Sequence, residues 1–217
     1  MYKHFFKRAI DLFLSLIGLI VLSPVFFIIA IAIIIDDPGP VLFKQKRIGI
    51  HKSYFMLYKF RSMKMSTPKC ILTYIPKNSK QHITKVGKFL RKTRLDELPQ
   101  IFNIIVGQMS IIGPRPAYCN QDDLVAERDR YEANDIRPGL IGWAQIKDKD
   151  GLDISIKTRL DGEYVDKLSF DFDLKCFAET IMFVLKRNAV VEGGKGKENE
   201  NTYIDKTIEK EKEAVER

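Results

Sequence analysis

Residues 12–35, LFLSLIGLIVLSPVFFIIAIAIII, decide how the rest of the chain is placed. The run contains no charged residue, and as one straight helix it would be about 36 Å long, enough to span the hydrocarbon core of a bilayer. It is too long for a secretory signal peptide, and no small-residue cleavage site follows it. The sequence therefore predicts that this segment enters a membrane.

Ser23 and Pro24 interrupt the run near its middle. Proline lacks a backbone N–H and clashes with the preceding turn, so a kink or break is expected, and each half of about 12 residues is only about 18 Å long. The Ser23 hydroxyl can bond a carbonyl that the break frees. Basic residues flank the run on both sides and give a single span no clear orientation: Lys3, Lys7, Arg8, Lys44, Lys46 and Arg47. Two arrangements stay open here, a Pro-kinked transmembrane helix and a hairpin that returns on the same side.

Charge and cysteine content narrow the class of protein. The 217 residues carry a net charge of +8, which favours anionic partners such as nucleic acid, anionic lipid or phosphorylated substrates. The length suggests one domain with one appended element. The three cysteines, Cys70, Cys119 and Cys176, are far apart and fit a reducing compartment without disulfides or a metal-ligand pattern.

Residues 37–190 are predicted to form a small domain of the α/β (α+β) type. Residues 41–43 and 53–60 predict a β-hairpin, and residues 83–92 predict a short helix with Val86, Phe89 and Leu90 facing inward. Further helices are expected over 96–106, 122–134, 155–167 and 173–187, a loop over 66–82, and a turn with a short strand over 137–146. The 173–187 helix has the composition of an amphipathic interfacial helix, although a core-facing helix shows the same pattern. The charged tail, 191–217, is predicted to be disordered.

Asp96 and Glu97 are the first candidates for chemistry. Pro99 is tolerated only in a first helical turn, so a helix is expected to begin near Asp96. In the structural interpretation Asp96 is then an N-cap and Glu97 favours the positive helix end. Basic residues crowd the approach, and carboxylates beside them should stay ionised: Lys85, Lys88, Arg91, Lys92 and Arg94. An ionised aspartate can attack phosphorus or hold Mg²⁺.

Several basic residues are candidates for binding phosphate. Arg115 stands between two prolines in GPRP, so a stiff backbone presents its guanidinium, which suits phosphate. Arg137 likewise precedes a Pro-Gly turn. Lys59 and Arg61 are at strand spacing and are expected to share one face that meets phosphate or lipid headgroups. Each signal is weak alone, since a rigid turn or a solvated strand face explains it equally well.

Taken together, the motifs resemble one family. In chain order they are KRAID (7–11), SP (23–24), YKFRSM (58–63), LDELPQIFN (95–103), GQMSIIGPRP (107–116) and RPGLIGWAQ (137–145). They resemble the bacterial sugar transferases, the monotopic phosphoglycosyl transferases, over about residues 1–190. The resemblance implies transfer of a sugar-1-phosphate from a UDP-sugar to polyprenyl (undecaprenyl) phosphate with release of UMP. That reaction begins the assembly of capsule, exopolysaccharide, O-antigen or glycoprotein glycans.

The resemblance also assigns residues. It implies that Asp96 attacks the sugar-proximal phosphate to give an aspartyl-phosphosugar, and that Glu97 binds Mg²⁺ with Asp96 or assists it. Arg91, Arg115 and Arg137 match positions expected to contact phosphate or nucleotide.

The resemblance favours the hairpin. Ser23-Pro24 matches the break of a re-entrant helix, so residues 1–36 are expected to anchor the catalytic domain, 37–190, on the cytoplasmic face of the inner membrane. The expected partners are the UDP-sugar, polyprenyl phosphate and membrane lipids, with no nucleic acid.

Two other classes compete with this interpretation. One is a non-catalytic, membrane-anchored basic module that binds anionic lipid or an assembly partner, and the other is a single-pass protein with a nucleic-acid-binding domain. Neither gives Asp96 and Glu97 a role. Residues 67–82 and 147–153 match no family motif and are hypothetical determinants of sugar selection. The motifs specify neither the sugar nor the oligomeric state.

Overall fold

The computed structural model describes residues 2–67, 82–147 and 153–192. A π-helical turn, Tyr2–Phe6, leads into helix α1, Lys7–Asp36. The later helices are α2 Lys85–Thr93, α3 Gln100–Val106, α4 Asp122–Asp129, α5 Trp143–Lys147, α6 Ile154–Asp166 and α7 Phe170–Glu192. The strands are β1 Leu42–Ile48, β2 Tyr54–Phe60, β3 Ser110–Ile112, β4 Ala117–Tyr118 and β5 Gly139–Ile141. The predicted mixture of helices and strands is confirmed.

Helix α1 is continuous through Pro24, where the sequence predicted a kink or a break, so the expected helix-break-helix hairpin is not confirmed. Pro24 has no N–H to donate to the carbonyl oxygen of Ile20, four residues earlier. The Ser23 hydroxyl donates to that oxygen instead, at 2.8 Å, as expected of the serine. This bond explains how the helix continues past the proline. Within the described residues, α1 is the one helix long and apolar enough to cross a membrane.

The beginning of α1 is bound to the domain by polar contacts. Arg8 donates to the carbonyl oxygens of Ile104 and Ile105 at the end of α3, at 2.5 and 2.8 Å. Asp11 accepts from the backbone N–H of Ile111 in β3, at 3.1 Å. The N-terminal turns of α1 are therefore fixed on the domain.

The end of α1 is bound to the same domain. Asp36 accepts from the backbone N–H of Val86 at 2.8 Å, and Asp37 accepts from Arg61 at 3.0 Å. Between the two ends, one face of α1 packs on the domain through buried residues that include Ile29 and Ile33, with Phe60 and Leu90. The remaining apolar side chains are largely exposed, as expected of a helix surrounded by lipid: Phe13, Ile20, Val21, Phe27, Ile28 and Ile35.

Strands β1 and β2 form the predicted hairpin, although β1 extends further than expected, to Ile48. Strand β4 pairs with the other edge of β1 in a three-stranded antiparallel sheet. Strands β3 and β5 form a parallel pair. After β3, the backbones of Gly113 and Gly139 approach each other closely. A Cβ added to Gly139 would lie only 2.1 Å from the Gly113 nitrogen, so a side chain would not fit there. This contact joins the GPRP and RPG motifs.

Several predicted helices differ in detail, including α7, which extends over Phe170–Glu192 rather than 173–187. In α2 Leu90 is buried as predicted, but Phe89 is 58% exposed. Gly87 and Leu90, three residues apart, share the buried face, so Phe89 points away from it. Helix α3 begins at Gln100 rather than near Asp96, and α4 ends at Asp129 rather than at residue 134.

The chain divides into two compact units, residues 1–176 and 177–217. In the first unit, Phe172 and Cys176 of α7 are buried with Trp143 and Tyr164, while Leu174 is exposed. In the second unit, α7 exposes the apolar side chains of Phe177, Ile181 and Met182. Residues 193–217, 68–81 and 148–152 lie outside the described part, so the predicted tail and most of the two proposed sugar-selecting stretches stay predictions.

Candidate active site

Asp96 and Glu97 lie in a short 3₁₀ turn, Leu95–Glu97, between α2 and α3. Arg94 ends α2 in the left-handed conformation, with φ of 61°, and Pro99 is the N-cap of α3. Neither carboxylate therefore caps α3, and the structural interpretation of Asp96 as N-cap is wrong. Both residues are buried, at 9% and 8% exposed, which is costly for carboxylates unless cations compensate.

Glu97 has two cationic partners. Lys59 Nζ and Arg115 Nη2 both donate to its Oε1, at 2.8 and 2.6 Å. Burial alone would raise the pKa of Glu97, but the charges of Arg115 and Lys59 outweigh it and lower the pKa to about 2. Because Lys59 lies in β2 and Arg115 in the loop after β3, Glu97 ties three segments together.

Asp96 is in a different environment. Among the residues that the structure describes, it has no ion-pair partner within 4.0 Å. Burial raises its pKa and Glu97 adds to this effect, while Lys59 and Arg91 act in the opposite direction without cancelling it. The expectation that nearby cations stabilise both ionised carboxylates holds for Glu97, whereas the pKa of Asp96 moves the other way.

The structure brings three of the five predicted phosphate-binding residues to the dyad, namely Lys59, Arg91 and Arg115. Arg91 is oriented by Ser62, whose hydroxyl oxygen accepts from its Nε at 2.8 Å. Arg61 is buried and bonded to Asp37, at the end of α1. Strand β2 ends at Phe60, so the alternation that would have put Lys59 and Arg61 on one face stops before Arg61.

Arg137 lies at the opposite end of α3 from the dyad. Its Nε donates to the carbonyl oxygen of Gly107 at 2.9 Å, next to the carbonyls that Arg8 binds. Cations are favourable at a helix C-terminus, so this contact stabilises the end of α3, and the predicted contact of Arg137 with phosphate stays a prediction. Arg137 also lines a cavity of about 440 Å³ with Lys3, Lys7 and Arg8, but Lys7 is paired with Asp173 at 2.6 Å.

Two residues near the dyad were missed by the sequence analysis. The guanidinium carbon of Arg47 is 3.3 Å from the ring centroid of Tyr118, and the two residues are opposite each other on β1 and β4. Burial would raise the pKa of Tyr118, but Arg47, with Lys59 and Arg115, lowers it. Lys59 and Arg115, which lie at the dyad, therefore also interact electrostatically with the Tyr118 hydroxyl. Only the pairing of β4 with β1 reveals this, and no local motif signals it.

Known proteins share this sequence pattern. The model of the bacterial sugar transferase family matches residues 2–187. The UDP-glucose:undecaprenyl-phosphate glucose-1-phosphate transferase of Escherichia coli (strain K12) is 38% identical over 188 residues, which are 81% of this chain and 39% of that protein. The UDP-N-acetylgalactosamine-undecaprenyl-phosphate N-acetylgalactosaminephosphotransferase of Aeromonas hydrophila is 36% identical, over 83% of this chain and 44% of that protein. The exopolysaccharide production protein PSS of Rhizobium leguminosarum bv. phaseoli is 37% identical, over 83% of this chain and 96% of that protein.

The matched region contains α1, the dyad turn and the GPRP loop. The chain spans less than half the length of the first two relatives and nearly the whole of the third. The family match covers most of the chain, and the relatives exceed a third in identity. The chain therefore belongs to the bacterial sugar transferase family.

Proposed function

We propose that this chain transfers a sugar-1-phosphate from a UDP-sugar to undecaprenyl phosphate or a similar polyprenyl phosphate, through an aspartyl-phosphosugar on Asp96. One observation carries the proposal: of two adjacent buried carboxylates, Glu97 is bound by Lys59 and Arg115, and Asp96 has no ion-pair partner among the described residues. The names of the Escherichia coli and Aeromonas hydrophila relatives support the substrate classes. The name of the Rhizobium relative supports a role in exopolysaccharide assembly.

The proposed reaction has two displacements at one phosphorus atom. A carboxylate oxygen of Asp96 attacks the β-phosphorus, the bond from that phosphorus to the bridging oxygen breaks, and UMP leaves with the electron pair. A phosphate oxygen of the polyprenyl phosphate then attacks the same phosphorus and displaces Asp96. The product is a polyprenyl-diphosphate-sugar, and the carboxylate is regenerated.

The two carboxylates are suited to different roles. Two oppositely shifted pKa values in adjacent carboxyl groups often mark different tasks. The Oε1 atom of Glu97 is engaged by Lys59 and Arg115, so Glu97 holds these cations where a diphosphate would bind. Together with Arg91, they would offset the negative charge of the transferred phosphoryl group. The side chain of Asp96 is not engaged in this way and is available to attack.

Mg²⁺ is part of the proposal, and the residues fit it. The described residues contain no group of three His, Cys, Asp or Glu side chains that would form a closed metal site. Mg²⁺ is commonly held by one or two carboxylates together with substrate phosphates and water. Asp96 and the Oε2 atom of Glu97, which accepts neither of these two hydrogen bonds, would hold it, and it would offset diphosphate charge when bound.

Helix α1 is proposed to enter the inner membrane without crossing it. Its beginning is bound to the domain through Arg8 and Asp11, and its end through Asp36 and Asp37. A helix that crossed the bilayer would bring its two ends to opposite sides, which disagrees with one polar domain holding both. UDP-sugars are cytosolic, so the domain is proposed to lie on the cytoplasmic face, where the lipid phosphate is within reach. The exposed apolar side chains of α7 are consistent with a helix in the membrane interface.

The decisive experiment follows UMP release by the full-length protein. The protein in detergent micelles is incubated with Mg²⁺, a short polyprenyl phosphate and each member of a UDP-sugar panel. Sustained release is expected with at least one sugar, only when all components are present. Asp96→Asn should abolish it, because the amide is a poor nucleophile, while the exposed Asp135→Asn variant serves as the matched control.

The intermediate is sought directly by mass spectrometry. Protein trapped with UDP-sugar in the absence of lipid and then digested should carry a phosphosugar on the peptide that contains Asp96. Full turnover by Asp96→Asn would overturn the proposal. If the wild-type protein bound anionic lipid but turned over no UDP-sugar, the non-catalytic binding module would be the better account.

A further inference from the structure

We propose that two buried arginines, Arg47 and Arg128, are positioning residues that hold the loop 113–116 so that Arg115 reaches Glu97. This inference rests on the proposed function for its meaning in catalysis, but its structural part can be tested without turnover. Neither arginine touches the dyad carboxylates, so both would act through Arg115.

The loop is held by its carbonyl groups. Pro114 and Pro116 have no N–H, so half of the backbone donors of GPRP are missing. Three consecutive carbonyl oxygens accept hydrogen bonds instead. The oxygen of Pro114 accepts from Gly139 N–H at 2.9 Å, that of Arg115 from Arg128 Nη2 at 3.1 Å, and that of Pro116 from Arg47 Nη1 at 3.0 Å.

Arg128 is itself fixed by a buried acid. Its Nε and Nη2 donate to Oδ2 of Asp161 at 2.9 and 2.6 Å, and the two residues are 4% and 1% exposed. A buried ion pair is often no more stabilising than two apolar side chains of similar size. The contact that an apolar pair could not supply is the third hydrogen bond, from Arg128 to the carbonyl of Arg115. The pair thereby links α4 and α6 to the loop.

Arg47 approaches the loop from the sheet. It is 3% exposed and has no carboxylate within ion-pair distance among the described residues. Its orientation is set by Gln45, which accepts from Nη2 at 2.9 Å, and by the ring of Tyr118. Burying a charge without an acidic partner is unfavourable for folding. The bond from this buried charge to Pro116 is a further contact between β1 and the loop, in addition to the pairing of β1 with β4.

These contacts hold the backbone around Arg115, while its side chain remains available to contact Glu97. The Arg115 side chain is 28% exposed, and its Nη2 is 2.6 Å from Oε1 of Glu97. Its backbone is bonded at residues 114, 115 and 116 to three separate segments. A guanidinium on a loop held in this way keeps its direction while substrate exchanges, and small displacements of such a group cost rate.

The test replaces the buried pair rather than one partner. Arg128→Met combined with Asp161→Leu removes the donor to Arg115 without leaving an unpaired buried charge. The matched control is Arg130→Met with Glu127→Leu, an Arg–Glu pair at the C-terminal end of the same helix, whose arginine is 73% exposed. Hydrogen–deuterium exchange is followed in peptides that cover residues 110–118. We expect faster exchange there in the test variant, a similar unfolding temperature in both variants, and no change in the control. Unchanged exchange in the test variant would overturn the proposal.

A kinetic experiment tests whether the Arg128–Asp161 pair affects the reaction through Arg115. Single-turnover release of UMP is measured for the Arg128/Asp161 replacement in the wild-type and in the Arg115→Ala background. A positioning role predicts a loss of about 10-fold in the first background and less than about 2-fold in the second. Equal losses in both backgrounds would show a general structural role and refute the inference. If the wild-type protein releases no UMP with any UDP-sugar, the proposed function fails, and the exchange measurement still decides whether Arg128 holds the loop.

Discussion

Replacing Glu97 with glutamine tests the electrostatics of the dyad turn through the pH dependence of stability. Burial opposes the ionisation of Glu97, yet Arg115 and Lys59 lower its pKa from 4.5 to about 2. At about 1.4 kcal/mol per pH unit, this difference corresponds to about 3 kcal/mol of stability. Because the pKa in the folded state is the lower one, the contribution is fully present above about pH 4.5 and is lost as the pH falls towards 2. Glu97→Gln should therefore destabilise the protein at pH 7 and have little effect near pH 2.

Urea unfolding of the full chain in detergent micelles gives the required measurement. Trp143 is the single tryptophan and is 4% exposed in the core, so its fluorescence reports unfolding of the domain. The control is Glu127→Gln, whose partner Arg130 lies three residues on and is largely exposed, and it should change stability by less than about 0.5 kcal/mol. A loss at Glu97 that stayed constant from pH 7 to pH 3, or that matched the control, would refute the reasoning.

Three further substitutions test packing. Gly87→Ala would put a Cβ 2.1 Å from the carbonyl oxygen of Ser62. We expect the free energy of unfolding to fall by about 3 kcal/mol, and the unfolding temperature to fall with it. An unchanged unfolding temperature would contradict the observed contact. Asn103→Ala removes a fully buried amide that bonds the backbone of β2 at 3.0 and 2.7 Å, and should cost about 3 kcal/mol in urea unfolding, far more than a surface Asn→Ala change. Ser23→Ala leaves the carbonyl of Ile20 without its hydroxyl donor and should cost about 1 kcal/mol in the same assay, whereas Ser23→Thr, which keeps the hydroxyl, should cost less.

Local patterns predicted the elements whose causes are local. The apolar run, the hairpin and the interaction of the Ser23 hydroxyl with a freed carbonyl all follow from neighbouring residues, and the structure confirms them. Strand β1 was predicted too short because Lys44 and Lys46 favour a loop. In the structure the residues of β1 alternate between exposed and half-buried positions before Arg47 and Ile48 become buried. A charged strand with one solvated face is hard to distinguish from a loop by composition.

The site was predicted only in part, because some of its partners are distant in sequence. Lys59, Arg91 and Arg115, which the motifs indicated as phosphate-binding residues, lie at the dyad. Arg61 and Arg137 belong to similar motifs, but Arg61 is hydrogen-bonded to Asp37 at the end of α1 and Arg137 to Gly107 at the end of α3. Arg47, Tyr118 and Arg128 are near the site only because β4 pairs with β1 and α4 packs on α6. Register and helix packing of this kind leave no signature in a short stretch of sequence.

The start of α3 at Gln100 shows that Asp96 is not a capping residue of this helix. A carboxylate at a helix start usually needs no explanation beyond capping, but α3 begins after Pro99 and no cap bond from Asp96 is made. Burial raises its pKa, so folding is opposed rather than assisted by its charge at neutral pH. Lys59 and Arg115 both pair with the adjacent Glu97 and not with Asp96. An aspartate that is buried, unpaired among the described residues and close to positive charge is poorly explained by stability, which supports the proposal that Asp96 attacks a phosphorus atom.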